Sequence, residues 1–216
     1  YLIFDPIINT DETGKAIPWL AKSWNFTADY KAITFKLRDD VYFTDGSKMT
    51  ADDLVFTFTQ IRDDKTHYPD STANSWRQYL GDIVKVNETE FTINFKTPMP
   101  EFWYNITASN LGVISKAAYE KLGYDAFWQK PVGTGPYVVE NWDQPNSTIK
   151  LTLRTDKNGY WAYRASDRYT NVKTITIKFS PEAQTRLASL RSKEVQMIDT
   201  ISANDKGILD KEGLTT

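Results

Sequence analysis

The sequence contains no cysteine and a single histidine, His67. Without cysteine the chain can form no disulfide bond, carry out no thiol catalysis and hold no metal through thiolates, and its compartment stays open. One histidine cannot supply a histidine metal cluster. Its neighbours Thr66, Tyr68 and Pro69 indicate a loop, in which we interpret His67 as an exposed residue without a functional role. We therefore predict no metal site and no cofactor.

Long apolar runs and a strong charge of either sign are also missing. No stretch approaches the ~20 apolar residues that a membrane-spanning helix needs. A formal net charge of −2 gives no support for a nucleic-acid groove or a polybasic membrane patch, so we expect no nucleic-acid partner. The sequence opens on Tyr1-Leu2, with neither an initiator methionine nor a signal-peptide pattern. We expect from this that the natural N-terminus has been removed.

Aromatic residues, in contrast, are abundant and make up 14% of the 216 positions. A chain of this length forms one domain or two small ones and can bury a core of its own. Its aromatic side chains fit two uses: packing in that core, or lining a ligand cleft, where they offer large rigid contact areas. Composition leaves both uses open.

Alternation of apolar and polar residues predicts several strands, each with one buried face. The clearest runs from Ile33 to Leu37, and the chain then passes through further apolar residues to the turn signal Asp45-Gly46. A second strand is predicted from Phe91 to Phe95, and a third from Ile175 to Phe179.

Two helices are predicted with defined starts. Thr50 can cap the first, and Asp53 can complete a capping box three residues later. Pro181 is expected at the first position of the second. The predicted apolar stripes are Ala51, Leu54, Val55, Phe58 and Ile61 in the first helix, and Ala183, Leu187 and Leu190 in the second.

The strand-period and helix-period segments follow one another irregularly, without a regular βαβ repeat. We therefore predict an α+β fold in which mixed sheets carry packed helices. The chain is expected to pass from one subdomain to the next near residue 112, although no shift in composition marks the boundary.

Several stretches together resemble a known family. Three of them, residues 34–38 (TFKLR), 43–46 (FTDG) and 50–54 (TADDL), are similar to the strand, turn and helix in the signature region of the family 5 extracellular solute-binding proteins. Further matches follow the family order at residues 17–24 (IPWLAKSW), 131–137 (PVGTGPY), 154–161 (RTDKNGYW) and 175–199. The pattern departs at Lys193, where the family has glycine, so we expect a changed helix cap but not a changed fold.

The resemblance implies one lobe of a hinged two-lobe fold of the type II periplasmic-binding-protein kind. Residues 1–112 are then the smaller subdomain of the first lobe, residues 113–216 are part of its larger subdomain, and the second lobe is absent. The resemblance further implies the receptor of an ABC importer, extracytoplasmic in the periplasm or lipid-anchored on the cell surface. The partners so implied are a small peptide ligand, the importer's membrane subunits and the missing second lobe; a nickel chelate or a sugar is a less common ligand.

The candidate ligand-binding residues are Trp76, Tyr79, Ser109, Asn110, Gly133 and Thr134. Trp76 and Tyr79 stand in a polar, loop-like stretch that in the family reaches toward the ligand; the alternative is that they close over the edge of the core. Gly133 and Thr134 belong to a Gly-Thr-Gly turn that lacks the lysine of a phosphate-binding loop. Its glycines either fix a tight backbone approach, the preferred interpretation, or expose backbone groups to a ligand.

Two other function classes stay open. Adjacent carboxylates such as Asp39-Asp40 and Asp52-Asp53 suggest a hydrolase acting on peptide or glycan. Neighbours on a strand point to opposite faces, however, and neighbours on a helix diverge by ~100°, so such pairs do not converge on one bond. We therefore predict no catalytic residue and no enzyme activity. Exposed aromatic residues would also suit a surface adhesion module.

Overall fold

The computed structural model describes residues 2–64, 66–67, 75–108, 111–162, 172–202, 205–207, 209 and 212–213, with the backbone alone described at residues 75, 76 and 108. The chain divides into two compact units. The first consists of Tyr1–Glu140 and Leu151–Ile175, and the second of Asn141–Lys150 and Thr176–Thr216. Residue 112 lies inside the first unit. The subdomain assignment at residue 112 stays a prediction.

Short strands and helices alternate irregularly along the chain, so the predicted α+β fold of mixed sheets and packed helices is confirmed. The strands are β1 Ile8–Thr10, β2 Ala16–Pro18, β3 Ala21–Phe26, β4 Ala32–Leu37, β5 Leu80–Asn87, β6 Glu90–Phe95, β7 Tyr137–Asp143, β8 Thr148–Leu153 and β9 Thr174–Lys178. The helices are α1 Ala51–Asp63, α2 Phe102–Ala108, α3 Lys116–Leu122, α4 Tyr124–Gln129 and α5 Ala183–Arg191, with a 3-10 helix at Ser75–Tyr79. The sheet orders are β1-β2, β3-β4-β6-β5 and β7-β8-β9.

The four-stranded sheet is antiparallel, and its register places apolar residues opposite one another. Phe35 of β4 lies opposite Phe91 of β6, and the two rings stack with centroids 5.2 Å apart. On the other face Thr34 lies opposite Thr92, and their hydroxyl groups hydrogen-bond at 2.8 Å. The predicted period-two alternation in β4 and β6 is therefore confirmed, because successive side chains alternate between core and solvent.

Helix α1 covers the apolar face of this sheet. Its N-cap residue Thr50 has extended backbone, and the N–H of Thr50 donates to a carboxylate oxygen of Asp53 (2.9 Å), which confirms the predicted contact between these two residues. The ring of Phe58 in α1 packs against those of Phe91 and of Phe102 in α2, with centroid distances of 6.0 Å and 6.4 Å. The predicted stripe is confirmed: Ala51, Leu54, Phe58 and Ile61 are buried and Val55 is partly buried.

The second unit departs from two local predictions. Helix α5 begins at Ala183 with Glu182 as its N-cap, two residues later than the predicted start at Pro181. Leu187 is buried but Ala183 is exposed, so the predicted three-residue stripe is wrong at its first position. Phe179 follows β9 and is 56% exposed, so the alternation there marks a strand without a deeply buried face.

The end of α5 accommodates Lys193 by an unusual backbone. Lys193 has φ of 62°, in the region that favours glycine. Its N–H donates to the carbonyl of Leu190 (3.1 Å), and the N–H of Glu194 donates to that of Ser189 (2.9 Å). This is the Schellman pattern of a helix end, with lysine in the place that glycine usually occupies.

Within the described part of the chain, no helix combines the length and the apolar character needed to cross a bilayer.

Candidate functional site

The predicted ligand-binding residues are described to different extents. The side chain of Trp76, and the whole of Ser109 and Asn110, lie outside the described residues. Tyr79 ends the 3-10 helix, and its side chain is 37% exposed. Its carbonyl accepts a hydrogen bond from the N–H of Lys96 (2.9 Å). Tyr79 thus combines a fixed backbone with a ring that is partly open to solvent.

Gly133 and Thr134 lie against the first residues of the chain. A Cβ on Gly133 would lie 2.1 Å from the carbonyl oxygen of Ile3, and the carbonyl of Gly133 accepts from the N–H of Thr44 (2.9 Å). Thr134 is fully buried, and its hydroxyl donates to Asp5 Oδ2 (2.8 Å). Glycine is needed at 133 because a side chain would collide with backbone. The structure therefore assigns this turn a packing role, and its contact with ligand stays a prediction.

Asp5 is the acceptor at the centre of a buried polar cluster. Its Oδ1 accepts from Trp19 Nε1 (2.9 Å) and from the Tyr160 hydroxyl (2.8 Å). Its Oδ2 accepts from the Thr134 hydroxyl and from Trp161 Nε1 (3.0 Å). Asp5 has no exposed surface, and four donors match the four acceptor sites of an ionised carboxylate. One side chain thus ties together three of the stretches that carry the family resemblance.

Arg154 forms a second cluster beside the first. Its side chain is almost wholly buried and forms an ion pair with Asp156. Its guanidinium donates to the carbonyl oxygens of Tyr42 (3.1 Å), Phe43 (3.1 Å) and Thr134 (3.2 Å). Burial opposes ionisation of Asp156, but the hydrogen bond and charge of Arg154 outweigh it and lower the pKa of this carboxyl. Arg154 therefore joins the turn at 43–46 to the turn at 133–136.

Asp53 joins the starts of two helices. One carboxylate oxygen accepts from the N–H of Thr50, and the other accepts from the N–H of Lys116 (3.0 Å), the first residue of α3. One turn along α1, the Thr57 hydroxyl accepts from the N–H of Ile114 (3.3 Å). Burial raises the pKa of the Asp53 carboxyl, although the backbone hydrogen bonds from Thr50 and Lys116 oppose the rise.

His67 is exposed, as predicted, but it makes contacts. Its Nδ1 lies 2.6 Å from a carboxylate oxygen of Asp64, and its ring stacks on Tyr124 with centroids 3.7 Å apart. The hydrogen bond from His67 lowers the pKa of Asp64. His67 therefore links the end of α1 to the start of α4.

Among the described residues we find no accessible group of side chains arranged for catalysis. The same residues contain no group of three or more potential metal ligands. The Thr134 hydroxyl and the Asp5 carboxylate are in hydrogen-bond contact, but both residues have no exposed surface, so no substrate reaches the pair. The clusters around Asp5, Arg154 and Asp53 are therefore suited to holding loops in place.

Asp5 and Arg154 were not predicted from the sequence as residues of these clusters. A signal for Asp5 was present, because it is a lone acidic residue in the otherwise apolar run Leu2 to Ile8. A buried carboxylate needs several donors, and so an acid in such a run predicts a polar cluster. Arg154 follows directly after the alternating strand β8, and nothing in its immediate sequence indicates burial.

A family model described as bacterial extracellular solute-binding proteins, family 5, middle, matches residues 15–215. The chain is similar to the nickel-binding periplasmic protein of Escherichia coli K12, with 24% identity over 201 residues that cover 91% of this chain and 36% of that protein. It is 27% identical over 215 residues to the periplasmic oligopeptide-binding protein OppA of Haemophilus influenzae, covering 91% of this chain and 38% of that protein.

Solved structures share the fold. The complex of Haemophilus influenzae OppA with RPPGFSPFR superimposes with a TM-score of 0.79 at 24% identity, covering 99% of this chain and 43% of that chain. NikZ from Campylobacter jejuni in complex with Ni(L-His) gives a TM-score of 0.77 at 24% identity, covering 98% and 40%. The chain thus spans about two fifths of the length of these proteins. Because the family model matches nearly all of its residues, the chain belongs to the family 5 bacterial extracellular solute-binding proteins.

Proposed function

We propose that this chain is one lobe of an extracytoplasmic receptor that captures a small solute and delivers it to an ABC importer. The observation that carries the proposal is the family match over residues 15–215. The relatives described above are named as binding proteins, and the stretch that they share with this chain is 36% and 38% of their length. In the proposed receptor, a second lobe closes over the ligand by a hinge motion.

Peptide is the favoured ligand class. One of the relatives is named for an oligopeptide and the other for nickel. Imidazole is the protein ligand that suits nickel, and the chain has one histidine, which already contacts Asp64 and Tyr124. This lobe therefore contributes little to direct nickel coordination, although a nickel chelate remains the second candidate.

The proposed ligand contacts are Trp76, Tyr79, Ser109, Asn110, Gly133 and Thr134. Tyr79 has the strongest support, because its ring is partly exposed while its backbone is fixed next to the buried Leu80. An aromatic side chain on a fixed backbone offers contact area at low entropic cost. Gly133 and Thr134 have the weakest support, because both are buried and their carbonyl oxygens already accept hydrogen bonds from Thr44 and Arg154.

The proposed partners follow from the proposed receptor. They are the ligand, the membrane subunits of the importer and the second lobe of the same protein. The proposed location is outside the cytoplasm, in the periplasm or anchored by lipid at the cell surface. The receptor is proposed to have no enzyme activity, since the relatives are named for binding and the Thr134–Asp5 pair is inaccessible.

Calorimetry with di- to pentapeptides tests the one-lobe proposal. We expect this chain alone to bind them more weakly than micromolar, because an open half-site cannot enclose the ~70–90% of ligand surface that closed pockets bury. The complete receptor should bind at least one of these peptides at micromolar concentration or tighter. Micromolar binding by the chain alone would contradict the one-lobe proposal, and peptide turnover would favour a hydrolase.

A double variant of the complete receptor, Trp76→Ala with Tyr79→Ala, tests the contact residues. We expect weaker ligand affinity and little change in melting temperature. The matched control is Trp142→Ala, because Trp142 is also a partly exposed aromatic residue but belongs to the second unit. If the double variant melts much earlier and each folded molecule binds normally, the two residues belong to the core.

A further inference from the structure

Residues 2–5, here called the strap, have no regular secondary structure and yet hold several other parts of the first unit. The carbonyl of Leu2 accepts from the N–H of Tyr137 (2.9 Å), and that of Ile3 accepts from the N–H of Gly135 (2.8 Å). The carbonyl of Asp5 accepts from the N–H of Val113 (3.0 Å). The strap thus accepts hydrogen bonds from three backbone N–H groups that belong to other segments of the chain.

Three glycines leave room for the strap. A Cβ on Gly112 would lie 2.3 Å from Phe4 Cβ, and one on Gly135 would lie 2.6 Å from the carbonyl oxygen of Leu2. A Cβ on Gly133 would lie 2.1 Å from the carbonyl oxygen of Ile3. Cβ atoms essentially never come this close to heavy atoms of other residues, so the positions 112, 133 and 135 form a seat shaped for the strap.

The apolar side chains of the strap are less deeply buried than those of the four-stranded sheet. Leu2, Ile3 and Phe4 are partly buried, whereas Phe35 and Phe91 of the four-stranded sheet have no exposed surface. The three carbonyl contacts of the strap go to residues 113, 135 and 137, and none goes to β3, β4, β5 or β6. Removing the strap would therefore leave the hydrogen-bond ladder of that sheet intact.

Asp5 is the part of the strap with the strongest anchorage. Its four side-chain donors come from Trp19, Thr134, Tyr160 and Trp161. The next residue, Pro6, has no N–H to donate. The anchorage of the strap therefore depends on one carboxylate, with the strap carbonyls adding to it.

We propose that the strap docks into its seat and leaves it as a unit while the four-stranded sheet stays folded, and that Asp5 is the positioning residue that keeps it docked. Release exposes the N–H groups of Val113, Gly135 and Tyr137 together. It also breaks the hydrogen bonds from Trp19, Trp161 and Tyr160 to Asp5. The glycines of the PVGTGPY turn are required by this docking.

Native-state hydrogen exchange of the whole chain in low urea tests the proposal. The reporting amides are those of Val113, Gly135 and Tyr137, and the reference amides in the sheet are those of Leu37 and Phe95. In the unmodified chain we expect the reporting amides to exchange together, about tenfold or more faster than the reference amides. Exchange of both sets at one rate and with one urea dependence would overturn the proposal.

The variant Asp5→Asn sharpens this test. An amide offers one acceptor oxygen in place of two, so two of the four donors lose their partner. We expect exchange at the reporting amides to rise about tenfold or more while the reference amides stay within about twofold. The matched control is Asp53→Asn, another buried carboxyl of the first unit, which should change both sets of amides by the same factor. An equal rise of both sets in Asp5→Asn would overturn the positioning role; if this variant does not fold, the urea series on the unmodified chain decides.

Discussion

The two units of this chain differ in which side chains they bury. In the first unit Asp5, Asp53 and Arg154 are buried, and each meets several partners. Large apolar side chains are exposed in both units, for example Tyr104 by 59% in the first and Phe179 by 56% in the second, so the units differ in what they bury. Leu187 and Leu209 are the buried hydrophobic residues among the described positions of that unit.

The difference shows that a strand pattern and a core are separate properties. β4 and β9 both alternate along the sequence, but β4 buries Ile33, Phe35 and Leu37, whereas β9 leaves Ile175 and Ile177 partly exposed. Alternation places side chains on one face of a strand. Burial further requires another element against that face, and α1 supplies it for the sheet that contains β4, because Phe58 of α1 packs on Phe91 of the neighbouring strand β6. Stability is therefore expected to reside in the first unit.

The largest expected contrast is between two phenylalanines. Phe91→Ala removes a ring that packs on Phe35 and Phe58 and leaves a cavity, so we expect a loss of about 4 kcal/mol in the free energy of unfolding. Phe179→Ala removes an exposed ring of the second unit, and the expected change is within about 0.5 kcal/mol. Urea unfolding followed by circular dichroism measures both. Similar losses in the two variants would show that the second unit has a core of its own around Phe179.

Two arginines give the second contrast. Arg154→Met leaves the Asp156 carboxylate and the carbonyls of Tyr42 and Phe43 without their buried donor, and we expect a loss of about 3 kcal/mol. Arg186→Met removes two hydrogen bonds to backbone carbonyls of the second unit and a contact with the exposed Asp199, for an expected loss of about 1 kcal/mol. The same urea titrations test the order. A smaller loss for Arg154→Met than for Arg186→Met would contradict the role of Arg154 in joining the turns at 43–46 and 133–136.

Three carboxyls give a contrast in pH dependence. The pKa of Asp53 is raised by burial, so its contribution to stability is present at low pH and lost as pH rises through the raised pKa. The pKa of Asp156 is lowered, so its contribution is present above the ordinary value of about 3.9 and lost as pH falls through the lowered pKa. Glu194 of the second unit also has a lowered pKa, through a hydrogen bond from Lys178, but its side chain is exposed to solvent.

The corresponding amide variants measure these signs. We expect Asp53→Asn to destabilise the chain more at about pH 3.5 than at about pH 7, and Asp156→Asn to destabilise it less at about pH 3.5. Glu194→Gln is the control and should show almost no pH dependence, because solvent screens exposed pairs. The measurement is the urea midpoint at both pH values. The same sign for Asp53→Asn and Asp156→Asn would show that burial does not dominate at Asp53.

The smallest expected effect concerns two residues with left-handed backbone. Lys193→Gly should stabilise the end of α5 by about 0.5–1 kcal/mol, because glycine adopts positive φ without strain. Tyr30 of the first unit has φ of 55°, but its ring packs on Phe26 at 5.5 Å. Tyr30→Gly therefore relieves strain and loses packing, and a net change near zero is expected. Thermal unfolding compares the two variants, and a stabilisation by Tyr30→Gly as large as that by Lys193→Gly would show that the Tyr30 ring contributes little.

Local sequence determined several of the elements and one of the caps. The alternation of Ile33 to Leu37 predicted β4, and the pair Thr50 and Asp53 predicted the start of α1, since both signals act within a few residues. The start of α5 was misplaced because Pro181 permits a helix start without requiring one. The family motifs indicated the fold class by resemblance, and the comparisons bear it out.

Only the tertiary structure decided which contacts the motif residues make. Asp5 meets Thr134, Tyr160 and Trp161 at separations of 129, 155 and 156 residues, and no local pattern encodes such pairings. The Gly-Thr-Gly turn allowed tight packing or ligand contact; the position of Ile3 against Gly133 shows the tight packing, and ligand contact stays a prediction. The sequence likewise did not indicate that the Phe179 side chain is exposed. Whether an apolar side chain is covered depends on elements brought to it by the rest of the fold, and a period-two pattern says nothing of them.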